Sequence, residues 1–122
     1  MDAFAALADP TRRQILELLA RDGPISATEI VGHFHISPPA ISQHLKVLRE
    51  AHLVHMDKRA QQRIYRINPD ALLELERWAT RLAQLWNQRF DAFEKVLQAE
   101  KQRLEQQVKE ENDGPADLHD RS

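Results

Sequence analysis

The polar residues with the clearest potential chemistry lie in Ser37–Glu50, which reads SPPAISQHLKVLRE. Glutamine can pair with adenine, serine with several base edges, and lysine with guanine or a phosphate; the residues of these types are Ser42, Gln43 and Lys46. At about 100° per residue, Ile41, Leu45 and Leu48 fall in a narrow arc that must face a core. The stretch is predicted to be a short helix with a nucleic-acid-binding face; a simple solvated surface helix is the alternative.

Two prolines open this helix. Ser37 is the expected N-cap, and Pro38 and Pro39 then remove N–H groups that a helix N-terminus normally leaves unpaired. Such free donors commonly bind phosphate, so this helix has fewer of them to offer. The prolines are expected either to present an apolar edge to a thymine methyl or a sugar, or only to fix the helix start.

Two further helices are expected to position this one. Asp9-Pro10 combines an N-cap acid with proline at the first helical position. Ser26 and Glu29 have the spacing of a capping box, which predicts a second short helix ending near Phe34. Two short helices joined by a tight turn have the helix-turn-helix layout, in which the second enters the major groove.

A β-hairpin is predicted after the third helix. Leu53–Met56 and Arg63–Ile67 are rich in β-branched and aromatic residues and flank a charged, polar centre. A basic hairpin after a helix-turn-helix is typical of a wing that lies along the DNA backbone or in the minor groove. The expected wing contacts are Arg59, Gln61 and Arg63; a merely solvated hairpin is the alternative.

Asn68-Pro69 is expected to start a long helix that carries an apolar seam. This seam exceeds what three short helices and a hairpin can cover, and soluble proteins rarely expose such patches. A two-fold dimer is therefore favoured over a monomer core. The expected interface consists of Phe4, Leu7, Trp78, Leu82, Leu85, Trp86, Phe90, Phe93 and Leu97.

Composition limits the function classes. The 122 residues predict one domain, over 1–108, with a disordered tail over 109–122. The chain has no cysteine and only three glycines, which argues against thiolate metal sites, cysteine nucleophiles and Gly-rich phosphate loops. Neither a signal peptide nor a membrane-spanning stretch is evident, so a cytoplasmic protein is expected.

Charge is unevenly distributed. The net charge is −2, yet residues 1–68 carry nine Lys and Arg against seven Asp and Glu. Within 37–66 there are six basic residues and only two acidic ones, Glu50 and Asp57. Local charge sets the field that an approaching phosphate meets, and Lys46, Arg49, Arg59 and Arg63 are expected to displace counterions from DNA.

Three segments carry a family resemblance: FAALADPTRRQILELL (4–19), ISPPAISQHLKVLREAHLV (36–54) and RIYRI (63–67). They closely resemble the ArsR/SmtB family of bacterial winged-helix repressors. The resemblance implies a homodimer that binds a palindromic operator and is released by an effector. It also implies that the recognition helix carries Ser37, Pro39, Ala40, Ser42, His44 and Leu45, with His44 contacting DNA or phosphate. Thr11 and Arg12 or Arg13 would lie near the DNA backbone.

The chain also departs from the family pattern. Cysteines of the arsenic and cadmium sensors are absent, and Asp91-Ala92-Phe93 lacks the histidine of the zinc and nickel sensors. No metal or other cofactor is therefore expected. His52 stands where the family usually has a glycine after the recognition helix, so it must accept a left-handed conformation or the helix must end in another way. Ala60 stands where the family usually has a glycine at the tip of the wing.

The sequence thus predicts a mainly α protein with a small β-hairpin, a winged helix-turn-helix that dimerises through its N-terminal segment and long C-terminal helix. The favoured function is a dimeric, metal-independent DNA-binding repressor of its own operon, with double-stranded DNA as partner and no enzymatic activity. The alternatives are a repressor that senses metal or a small ligand through His33, His35 and a carboxylate, and a winged-helix adaptor that binds proteins.

Overall fold

A computed structural model of the chain describes residues 2–119, and the side chains of residues 2–112. The elements in chain order are α1 (Ala3–Leu7), α2 (Pro10–Asp22), β1 (Ile25–Ser26), α3 (Ala27–Gly32), α4 (Pro38–Glu50), β2 (Val54–Arg59), β3 (Gln62–Ile67) and α5 (Pro69–His119). They form two compact units, the first ending at Arg77 and the second beginning at Trp78. The predicted fold class, mainly α with a small sheet, is confirmed.

The first unit has one hydrophobic core, to which α1, α2, α3, α4 and the sheet all contribute. The stripe predicted for α4 is buried, with Ile41 and Leu48 at 0% exposure and Leu45 at 1%. Val47 and Ala51 join the same core, although the sequence pattern did not select them. The largest fully buried side chains are Ile15, Ile30, Ile41, Leu45, Leu48, Leu53 and Val54.

The predicted helix starts are confirmed by their caps. In each case a side-chain oxygen of the N-cap accepts the backbone N–H three residues later: Asp9 from Arg12 at 3.0 Å, Ser26 from Glu29 at 3.2 Å, and Ser37 from Ala40 at 3.3 Å. Helix α3 is shorter than expected, since it ends at Gly32 rather than near Phe34. A difference of two residues at a helix end is common, because last turns fray.

The sheet contains one strand more than the predicted hairpin. Strand β1 pairs antiparallel with β3 through Ile25 and Tyr65, giving the order β1-β3-β2. The hairpin strands are also longer than expected, because their pairing continues to Arg59 and Gln62 and leaves a two-residue loop. The central strand β3 buries Tyr65 against the core, which fixes the wing to the helices.

The second unit consists of helix α5 from Trp78 onward. The helix runs through 109–119, where the sequence predicts a disordered tail, and 120–122 lie outside the described residues; the boundary at 108 stays a prediction. Within the described residues, no helix combines the length and the apolar character needed to cross a membrane.

Helix α4 ends in a Schellman motif built around His52. The N–H of Leu53 donates to the carbonyl of Leu48 at 3.0 Å, and the N–H of His52 donates to that of Arg49 at 3.0 Å. His52 has φ 61°, so it adopts the left-handed conformation expected of it in place of glycine. Leu48 and Leu53, whose positions usually make the hydrophobic contact of this motif, are both fully buried in the same core.

The conformation of His52 yields a stability prediction. A residue with a side chain loses about 1–2 kcal/mol of folding free energy in the left-handed conformation, and glycine avoids this loss. Glycine itself lowers stability by about 0.5–1 kcal/mol, because its unfolded chain has more conformational freedom. We expect His52→Gly to raise the free energy of unfolding by about 0.5–1 kcal/mol in urea denaturation. His55→Gly, on strand β2, is the matched control and should lower it. A loss of stability at both positions would contradict this.

Candidate nucleic-acid interface

Helix α4 presents its predicted polar face to solvent. Ser42, Gln43, Lys46 and Arg49 are all exposed, whereas the three positions opposite them are buried. The exposed face follows directly from the 3.6-residue period, because burial of Ile41, Leu45 and Leu48 sets the rotation of the helix. The four side chains are therefore available to a ligand that approaches this surface.

These side chains meet the wing in a groove of about 400 Å³. Helix α4 supplies most of the wall, and β3 supplies Arg63 and Tyr65. The lining residues are Ala27, Pro39, Ser42, Gln43, Leu45, Lys46, Arg49, Arg63 and Tyr65. Every charged side chain that lines it in the described part of the chain is basic. The groove thus brings together six of the residues predicted to contact DNA, from two elements that are distant in sequence.

The remaining wing and helix-start residues lie outside this groove. Ser37 and Pro38 are exposed at the beginning of α4, and Arg59 and Gln61 are exposed at the hairpin tip. The two-residue loop requires a positive φ at Ala60, which has φ 54° without being glycine.

One wing cation is engaged within the sheet. Arg66 Nε donates to Asp57 Oδ2 at 3.1 Å, joining β3 to β2. Both side chains are about half exposed, so this pair adds little stability, but it offsets the charge of one arginine on the wing.

The backbone donors of α4 are already used. Pro38 and Pro39 have no N–H, Ala40 donates to the Ser37 hydroxyl at 3.3 Å, and Ile41 donates to the Ser37 carbonyl at 3.1 Å. Of the N–H groups that the first turn of a helix normally leaves free, those of residues 38 and 39 are therefore absent and that of Ala40 is paired. Any recognition by this helix has to come from its side chains.

Thr11 and Arg12 lie in the first turn of α2 and do not line the groove. Arg12 Nε donates to the carbonyl of Ala6 at 2.6 Å and Nη2 to that of Ala5 at 3.3 Å. Arg13 Nη1 donates to the carbonyl of Leu7 at 2.7 Å. The two arginines thus satisfy the last carbonyls of α1, a role that cations near helix C-termini commonly take.

His44 lies at the junction of α4 and α2. Its side chain is 21% exposed, and its Nδ1 is 3.8 Å from Asp9 Oδ2, a charge contact too long for a hydrogen bond. The pKa of Asp9 is lowered, first by the Arg12 N–H that its carboxylate accepts and also by the nearby positive charges of His44 and Arg12, while burial acts in the opposite direction.

The sequence-based alternative of a metal site gains no support from the geometry. Among the described residues, no group of three or more histidine or acidic side chains could hold a metal ion. His33 and His35, the proposed ligands, are exposed at the end of α3 and in the following turn.

The predicted dimer residues fall into two groups. Phe4 is exposed in α1, while Leu7 is half-buried and packs against the core. The others are exposed along α5, with values such as 67% for Trp86 and 59% for Phe93: Trp78, Leu82, Leu85, Trp86, Phe90, Phe93 and Leu97. Val96, Leu104 and Val108 are also exposed on that helix.

Comparison with known proteins agrees with this architecture. The family described as bacterial regulatory proteins of the arsR family matches residues 9–56, which include α2, α3 and α4. The HTH-type transcriptional regulator Rv2034 of Mycobacterium tuberculosis is 38% identical over 80% of this chain and 88% of its own length. The transcriptional repressor SdpR of Bacillus subtilis is 39% identical over 63% of this chain and 84% of its own.

Solved structures lead to the same family. An ArsR-like transcriptional regulator from Rhodococcus sp. RHA1 superposes with a TM-score of 0.67 at 32% identity, over 76% of this chain and 87% of that one. The groove, the helix-turn-helix and these relatives describe a regulator that binds DNA rather than an enzyme. The chain therefore belongs to the arsR family of bacterial DNA-binding transcriptional regulators.

Proposed function

We propose that the chain acts as a cytoplasmic homodimeric repressor that binds an inverted repeat in double-stranded DNA, controls its own operon and needs no metal. The observation that carries this proposal is the groove where Lys46, Arg49 and Arg63 converge beside uncharged hydrogen-bonding side chains. Cations attract the phosphate backbone, and amide and hydroxyl groups discriminate between base edges.

Within this proposal, α4 reads bases through its side chains. Gln43 pairs with an adenine through two hydrogen bonds, Ser42 bonds a neighbouring base edge, and Lys46 reaches a guanine or a phosphate. Because the first donors of the helix are absent or paired, a phosphate gains no backbone N–H there. Pro39, which lines the groove, offers an apolar surface to a thymine methyl.

The wing holds the DNA backbone. Arg63 lines the groove beside α4, whereas Arg59 and Gln61 lie at the exposed hairpin tip. Such contacts position a protein on the duplex without carrying sequence information directly. Base preference is therefore assigned to α4 and salt-dependent affinity mainly to the wing.

The exposed seam of α5 supports dimerisation. Trp86, Phe90 and Phe93 are each more than half exposed. A buried aromatic side chain covers about 150–250 Å², so three half-exposed rings alone present on the order of 250–400 Å² of apolar surface. That is already as large as the apolar patches of typical monomers. A second copy covers the seam, and its two-fold axis matches an inverted repeat.

The set of available donor side chains supports metal independence. The chain contains no cysteine, so thiolate coordination of a soft metal is impossible. His33 and His35 are exposed, and no carboxylate completes a group of three with them among the described residues.

Two substitutions should separate base reading from backbone binding. We expect Gln43→Ala to lose about 1–3 kcal/mol of discrimination at one base pair, because the paired amide is removed. Arg63→Ala should weaken all duplexes similarly and reduce the salt slope by about 0.9, because one phosphate contact is lost. Fluorescence anisotropy over a salt series, on a duplex selected from a random pool and on an unselected one, measures both.

Gln84→Ala, an exposed glutamine of α5, is the matched control and should change neither quantity. Equal losses on both duplexes for Gln43→Ala and Arg63→Ala would contradict the division of roles, and salt-independent binding by the wild-type chain would contradict the proposed interface.

The dimer interface has its own test by sedimentation equilibrium. We expect Leu82→Glu/Phe93→Glu to raise the dimer dissociation constant by at least about a hundredfold, since two charges would be buried in each copy's apolar seam. Gln84→Glu/Gln98→Glu adds the same charge to the opposite side of α5 and should leave the dimer intact. A wild-type monomer, or equal effects of the two double variants, would rule out this interface.

A further inference from the structure

His44 differs from its neighbours on the recognition helix. Ser42, Gln43 and Lys46 are exposed, whereas the His44 side chain is only 21% exposed and turns toward the start of α2. Its Nδ1 lies 3.8 Å from Asp9 Oδ2. A residue expected to contact DNA is therefore aligned with a carboxylate of its own chain.

Asp9 is a fixed anchor rather than a mobile surface acid. Its Oδ2 accepts the N–H of Arg12 at 3.0 Å, and the Arg12 guanidinium in turn holds the carbonyls of Ala5 and Ala6. The carboxylate thus belongs to a junction that joins α1 and α2. An electrostatic contact from α4 to this junction ties the recognition helix to both.

The rotation of α4 matters greatly for base reading. Side-chain atoms lie about 5–6 Å from a helix axis, so a rotation of about 20° moves them by about 2 Å. Hydrogen bonds to base edges need donor–acceptor distances of about 2.7–3.2 Å, so such a shift breaks them. The buried apolar stripe already sets which face of α4 points outward, and a contact to a fixed polar group adds a directional restraint to that packing.

We propose that His44 is a positioning residue whose imidazole contacts the Asp9 carboxylate and restrains the rotation of α4, so that Gln43 and Ser42 meet the bases. His44 does not itself contact DNA. This role rests on the proposed DNA readout. It gives Asp9 an indirect part in sequence specificity, through His44 rather than through a base.

The proposal and a direct phosphate contact predict opposite signs for Asp9. If His44 bound phosphate, Asp9→Asn would remove a nearby negative charge and leave DNA binding unchanged or tighter. If the pair positions α4, Asp9→Asn weakens binding to the preferred sequence. Asparagine caps a helix as well as aspartate does, so the start of α2 survives the substitution.

The experiment compares the wild-type chain with Asp9→Asn, His44→Gln and the double variant in one buffer at one pH. Affinities are measured on a duplex selected by the wild-type chain and on an unselected duplex. We expect each single variant to lower the specificity ratio roughly threefold to tenfold, the double variant to lower it no further, and the salt slope to stay unchanged. Asp2→Asn, the same change at the N-cap of α1, should have no effect on the ratio.

Three results would overturn the proposal. They are tighter binding by Asp9→Asn, a salt slope reduced by about 0.9 in His44→Gln, and multiplicative losses in the double variant. A wild-type chain that does not distinguish the duplexes would refute the proposed function and the positioning role together.

A measurement without DNA separates the two failures. Urea unfolding is measured for the wild type, the two single variants and the double variant. The folding equilibrium constant of the double variant should fall by a smaller factor than the product of the factors for the two single variants, because the pair acts as a unit. Additive losses would show that Asp9 and His44 do not interact, whatever the DNA results. Asp9→Ser, another strong N-cap without charge, replaces Asp9→Asn if that variant folds poorly.

Discussion

Ile41, Leu45 and Leu48 lie within 1% of complete burial, and they recur on one side of a helix of only 13 residues. Because that stripe has to face the core, the opposite face of α4 has to face solvent. Everything else at the interface depends on this constraint. It exposes Gln43 and Lys46, and it aligns the groove with Arg63 on the central strand.

The ends of α4 are determined by backbone chemistry. At its start, prolines and the Ser37 cap leave no free donor among the first four residues. At its end, His52 takes a left-handed conformation so that Leu53 can return to the core. Asn68 then donates from its side chain to the carbonyl of His52 at 2.8 Å and accepts from Asp70 at 3.2 Å, which ties the end of α4 to the start of α5.

Most of the helical framework could be predicted from local signals, since caps and 3.6-residue periods depend on neighbouring residues. The starts at Pro10 and Pro38 and the buried face of α4 are examples. The groove could be anticipated only as two separate surfaces, α4 and the wing. Their approach depends on Tyr65, which buries β3 against the core.

What sequence reasoning missed was determined by contacts between distant residues. Strand β1 has two residues, and its pairing with Tyr65 spans forty positions, so no local pattern indicates it. The family resemblance placed Arg12 or Arg13 near the DNA backbone, and that stays a prediction; the bonds of Arg12 to the carbonyls of α1 were not anticipated. The resemblance likewise gave His44 as a DNA or phosphate contact, which stays untested; its contact with Asp9 was not anticipated.

The central claim is that α4 of each of two copies lies in the DNA major groove. Since the chain has no cysteine, a single Ser42→Cys can carry an iron chelate that cleaves nearby DNA. On a selected duplex, we expect two clusters of cuts about one helical turn, or roughly 10 base pairs, apart and symmetric about the centre. A single cluster, or cuts without preferred position, would contradict it.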